Sequence, residues 1–175
     1  MEKLYFFVAQ CDTWLNGDTR GYLEQYFCTE GAFLHAFLIA VGVAIVAALF
    51  FYGWIGMAVN RLANLGVWLC TLLLDAVLTF VITNVTVIGS SAASTGLFHS
   101  IAERQSDLMK SIPVDDEVGR EALIQVTNQF VDTLTAGCDV TYYLNFGNAV
   151  ISILIFFIIS ICVKKFTTYA AYVPF

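Results

Sequence analysis

A single carboxyl in the middle of an apolar run is the group in this chain best placed to do chemistry. In WLCTLLLDAVLTF (68–80), Asp75 is the only formally charged residue inside any of three long apolar runs, and it lies about ten residues from either end of its own. A carboxylate at that depth in a bilayer costs roughly 2.5–3.5 kcal/mol on insertion scales, so Asp75 is expected to be neutral or paired. Two chemistries fit: a proton or cation site, or a protonated acid that hydrogen-bonds across a helix interface and fixes packing. The packing reading is favoured, because no second acid, Lys or Arg lies in any of the runs to form a relay. His35, near the start of the first run, is roughly 10 Å shallower at a rise of ~1.5 Å per residue, so the two are not expected to pair.

The other chemical side chains form no catalytic constellation. His99 stands in a small polar loop, and Ser90 and Ser91 in GSSAAS lack the Gly-x-Ser-x-Gly setting of a nucleophile elbow. The sequon Asn84-Val85-Thr86 falls within the second run and is too close to a membrane to be used. There is no Cys-x-x-Cys and no His at metal-ligand spacing. No catalytic residue, cofactor or metal is therefore expected, and the chain does not read as an enzyme.

The elements that position Asp75 follow from composition. Of 175 residues, 59% are hydrophobic and 13% charged, against roughly 25% charged in an average soluble domain. The runs at about 32–54, 65–88 and 146–163 each approach the ~20 residues a helix needs to cross a ~30 Å hydrocarbon layer. The fold class is an all-α integral membrane protein with three transmembrane helices. Residues 32–88 form a transmembrane hairpin, closed tightly by Asn60-Arg61-Leu62-Ala63-Asn64. Segment 1–31 is an interfacial N-terminal stretch, in which Leu4, Phe7, Val8 and Leu15 fall largely on one helical face. Segment 89–145 is an amphipathic loop with two helices, about 97–111 and 116–136, broken at Ile112-Pro113 and with Asp115 or Asp116 capping the second. The third span, 146–163, is followed by an interfacial tail, 164–175, with aromatics every three residues.

Ala32, Ala36, Ala40, Ala44 and Ala48 form an unbroken ladder along the first span. Small side chains four apart let another helix backbone approach closely, which is the main packing device in lipid. The partner could be the second span or another chain.

Charge sets the orientation. The hairpin turn and tail carry Arg61, Lys164 and Lys165 with no acid, whereas segments 1–30 and 89–145 hold 13 of the 14 acidic residues. Positive-inside counting puts the turn and the C-terminus in the cytoplasm and the N-terminus outside. Cys70 and Cys162, within spans, read as small core residues. Cys11, Cys28 and Cys138 fall on the oxidising side, where a Cys11–Cys28 disulfide, the nearest pair in sequence, leaves one thiol over. The net charge of −6 argues against direct binding of nucleic acid, whose phosphates demand clustered Lys and Arg.

With its cysteine-bearing outer N-terminus, tight Asn-Arg hairpin and amphipathic outer loop before a last span, the chain resembles the accessory inner-membrane proteins of type IVB secretion and conjugation systems. It is similar in size and hydropathy to the TraQ-type conjugal transfer proteins and their DotE (IcmC) relatives. The resemblance implies a subunit of an envelope assembly that moves DNA or protein, and it transfers no functional residue. The residues themselves leave three classes open. One is a structural subunit that contacts lipid and other membrane proteins or copies of itself, and another is a small ion- or proton-conducting oligomer built on Asp75. The third is an exclusion, immunity or membrane-disrupting protein.

Overall fold

The computed structural model describes residues 2–6, 8, 17–55, 65–89, 95–113, 116–135 and 139–164. About 93% of the structure is helical, with no strand among the described residues. Among the described residues six α-helices follow in order: α1 Gly17–Glu24, α2 Ala32–Leu49, α3 Leu65–Thr83, α4 Leu97–Ser111, α5 Glu117–Thr135 and α6 Asp139–Lys164. A short 3₁₀ turn, Glu2–Tyr5, precedes them, and π-helical turns extend α1 to Thr29, α2 to Ile55 and α3 to Ile88.

Among the described residues three stretches are long and apolar enough to cross a membrane: Ala32–Gly53, Leu65–Ile88 and Val140–Val163, with mean hydropathies of 2.6, 2.3 and 2.6. The chain is a multi-pass, all-α membrane protein. Helix α6 starts at Asp139, seven residues before the expected start of the third span at Phe146. Asn145 and Thr141 end an apolar window, but nothing in 139–145 breaks a helix, and an acid such as Asp139 suits a helix start.

The chain folds as two units, residues 1–34 with 84–144 and residues 35–83 with 145–175. In the first, aromatic stacking gathers the N-terminal elements. The rings of Tyr5 and Phe33 stack at 4.9 Å between centroids, as do those of Phe27 and Phe33. Tyr5 and Val8 are buried, while Leu4 and Phe6 are exposed. Helix α4 is held to the α1 region by three polar contacts. The Ser100 hydroxyl donates to the Glu30 carboxylate at 3.1 Å, Arg104 donates to the Gln25 side-chain oxygen, and its guanidinium lies 4.7 Å from the Tyr22 ring centroid. The Tyr26 hydroxyl donates to the Val87 carbonyl. Burial, with the Glu30 carboxylate adding to it, pushes the Tyr26 phenol well above its ordinary range and keeps it a neutral donor.

Gly89 and Gly96 adopt φ of +73° and +97°, and a side chain on Gly96 would sit 2.8 Å from the Ile88 carbonyl oxygen. The two ends of the loop meet backbone to backbone, which only glycine permits. Helix α4 stops at Ile112, whose extended backbone (φ −85°, ψ 130°) precedes Pro113. Asp116 then caps α5, accepting the Gly119 N–H at 2.9 Å. The hairpin turn 56–64, the tail 165–175, Cys11, Cys138, Asp115, Phe7 and Leu15 lie outside the described residues.

The second unit is a bundle of α2, α3 and α6. Its outward positions, among them Leu38, Val46, Leu73 and Leu154, are large, apolar and exposed. Such faces are stable against lipid tails and not against water. Cys70 and Cys162 belong to this outward set, which corrects their reading as core residues. Depth along an apolar run does not tell which face a residue takes.

Candidate functional site

The inward faces of the bundle are three stripes, each with a four-residue step. Helix α2 contributes Ala36, Ala40, Ala44 and Ala48; α3 contributes Thr71, Asp75, Thr79 and Thr83; α6 contributes Asn148, Ser152, Phe156 and Ser160. All are buried, with the alanines 0–3% exposed and Asp75 at 0%. The alanine ladder is thus closed inside the chain. Its partners are α6 as well as α3, and this face is not open to a second copy.

The reason for alanine is visible in the hydrogen bonds. Asn148 Nδ2 donates to the Ala36 carbonyl at 2.8 Å and to Thr83 Oγ1 at 2.6 Å. One turn along, Ser152 Oγ lies 3.2 Å from the Ala40 carbonyl oxygen. Both carbonyls are already acceptors within their helix, and the second lone pair of each takes the cross-helix contact. A bulkier side chain on this face would hold α6 too far away. Alanine keeps the backbone within reach.

Ser152 is also where Asp75 finds its partner. Its Oγ lies 2.9 Å from both Asp75 Oδ1 and Oδ2, and Thr79 Oγ1 donates to it at 3.0 Å. Thr71, by contrast, bonds back to its own helix at the Val67 carbonyl, 2.9 Å away. The site is therefore one acid, two hydroxyls and one backbone carbonyl contributed by three helices. Beyond it the core becomes apolar. Ala44, Ala48, Phe51, Trp68 and Phe156 form one cluster, with the Trp68 and Phe156 rings 5.8 Å apart and Trp68 Nε1 3.4 Å from Ser160 Oγ.

Beside the network runs an apolar cleft of about 410 Å³ between α2 and α3, lined by Gly42, Val46 and Ala47 on one side and Leu74, Asp75 and Leu78 on the other. Among the described residues, no group of three or more His, Cys, Asp or Glu comes together. His35 and His99 are exposed. Cys28 is exposed as well, and its expected disulfide partner Cys11 lies outside the described residues.

Sequence reasoning singled out Asp75 and the ladder but missed Thr79, Thr83, Asn148 and Ser152. The signal was present as a four-residue polar step at 71, 75, 79 and 83 and at 148 and 152, a spacing that lines one side of a helix. No protein-family model, curated protein or solved structure matches the chain.

Proposed function

We propose that the chain is a structural subunit of a multiprotein membrane assembly, of the conjugation or type IV secretion kind that its layout resembles. The observation that carries this reading lies on α5, which is outside the three candidate spans. Val118, Ala122 and Val126, four residues apart, form an exposed apolar strip, with Val118 80% exposed. Glu117, Glu121 and Asp132 are exposed on the same helix. Those acids disfavour docking on an anionic lipid surface, which attracts Lys and Arg. The fitting cover is a partner protein with an apolar strip rimmed by basic residues.

In native membranes extracted with mild detergent, the chain should elute as part of a larger complex with partners in fixed ratio. A photocrosslinker at Val118 or Val126 should then give one protein adduct. Val118→Glu with Val126→Glu should release the chain from the complex with its helix content unchanged. Elution of the wild-type chain alone, with crosslinks to lipid only, would remove the assembly reading.

The assembly would sit in a bacterial inner membrane, with the N-terminus outside and the C-terminus in the cytoplasm. Single-cysteine variants supply the test. An impermeant thiol reagent added outside intact cells should label exposed positions of α4 and α5 and spare Asn60 and Thr168. The opposite pattern would reverse the topology.

A further inference from the structure

The protons around Ser152 can be counted, and the count says more than that Asp75 is packed. A serine hydroxyl has one proton to give and two lone pairs to receive with. Ser152 Oγ makes contact with the Asp75 carboxyl at 2.9 Å, Thr79 Oγ1 at 3.0 Å and the Ala40 carbonyl oxygen at 3.2 Å. Thr79 donates to Ser152. A carbonyl can only accept, so the Ala40 contact requires the Ser152 proton. An ionised Asp75 can likewise only accept, and it would claim that same proton. With Asp75 carrying a proton the contacts to all three partners close: one Asp75 oxygen and Thr79 donate to Ser152 and Ser152 donates to Ala40, while the second Asp75 oxygen, also 2.9 Å from Ser152 Oγ, takes no proton.

We propose that Asp75 is a proton-binding site, and that its occupancy decides whether Ser152 ties α6 to α2 or only to α3. With the proton bound, Ser152 joins all three helices at one atom. When Asp75 loses its proton to water, the Ser152 O–H turns to the carboxylate and the Ala40 contact is lost. The neighbouring Asn148 layer, where the Asn148 amide holds the Ala36 carbonyl, does not titrate and stays closed. On the other side, Ala44, Ala48, Phe51 and Phe156 offer no polar side chain to replace the lost bond. The cleft between α2 and α3 at Gly42, Val46 and Ala47 leaves α2 room to shift.

Among the described residues, no other titratable side chain is hydrogen-bonded to Asp75 or Ser152. Asp75 is hydrogen-bonded to the Ser152 hydroxyl from α6, which in turn meets the Ala40 carbonyl from α2 and the Thr79 hydroxyl from α3. Among the described residues of these elements, His35 and Cys162 are exposed on outward faces, and Tyr52 packs against Phe51 in the apolar half. The proposal stands whether or not the chain belongs to a larger assembly.

The test uses the full chain in phosphatidylcholine vesicles, with two readouts followed against pH. One is the infrared C=O stretch of a protonated carboxylic acid, assigned to Asp75 by its loss in Asp75→Asn. The other is the distance between spin labels at Leu38→Cys and Leu154→Cys, exposed positions on α2 and α6, in a background lacking the native cysteines. The acid band should disappear as pH rises, and the distance should lengthen with the same midpoint. Asp75→Asn, whose amide always holds protons to donate, should keep the short distance at every pH. Ser152→Ala should keep a titrating acid band and lose the distance change. If Asp75→Asn does not fold, the apolar reagent dicyclohexylcarbodiimide, which attacks protonated carboxyls, should label wild-type Asp75 with a yield that falls along the same curve. Absence of the acid band, a distance that does not follow it, or a distance that responds to sodium at fixed pH would each overturn the proposal.

Discussion

Leucine placed successively at positions 35–49 of α2 is expected to damage the protein every fourth residue, at Ala36, Ala40, Ala44 and Ala48, and to leave the Ile45 and Val46 positions almost untouched. Each of the four alanines is at most 3% exposed, and Ala36 and Ala40 present carbonyls that α6 side chains must reach. Adding three carbons there forces the helices apart, at about 1–3 kcal/mol for each site. Val46 is 66% exposed on the lipid-facing side, where a larger apolar residue has nothing to collide with. Because the ladder closes within one chain, the defect should appear as reduced amount and thermal stability of the folded monomer. Variants that accumulate as stable monomers while losing only a larger complex would show that this face meets another protein instead.

Replacing Phe156 by alanine should cause the largest loss of any single change in the bundle. Its ring is fully buried among Ala44, Ala48, Phe51 and Trp68, with Trp68 5.8 Å away. In a water-soluble core such a truncation costs ~3–5 kcal/mol, part of it transfer free energy and part the void left behind. In lipid the transfer part fades, because the unfolded reference also keeps the ring out of water. The void remains, so the loss should sit near the lower end of that range. Thermal unfolding in detergent with and without benzene separates the two parts. A dry apolar void should bind benzene and recover stability, whereas no recovery would mean that the helices had collapsed into the space.

Much of this architecture is legible in the sequence, and what is not has physical causes. Hydropathy located three spans, and Ile112-Pro113 marked the end of α4 because the residue before proline avoids helical backbone. Asp75 stood out because its charge is unaffordable in hydrocarbon. Ser152 and Thr79 did not, since a hydroxyl in an apolar helix can bond back to its own turn, as Thr71 does, and only tertiary structure tells which choice is made. The alanines declared a face but not the neighbour. A tight hairpin suggested α3, and nothing local in the sequence says that α6, more than 100 residues away, supplies the donors at Ala36 and Ala40.

A four-residue step is longer than one helical turn, and this has a consequence for how α2 is gripped. At 3.6 residues per turn, each step overshoots by about 40°, so a row from Ala36 to Ala48 winds roughly 120° around the helix. A single straight neighbour could not follow such a row. The contacts show the handover: Ala36 and Ala40 bond to α6, whereas Ala44 and Ala48 share a cluster with Trp68 of α3 and Phe156 of α6. The ladder is therefore a spiral track along which α2 passes from one helix into the angle between two. Sliding α2 along its axis would have to be coupled to its rotation, so that any shift at Ala40 turns the lipid-facing side of the same helix, Leu38 and Val46 included, like a screw in its thread.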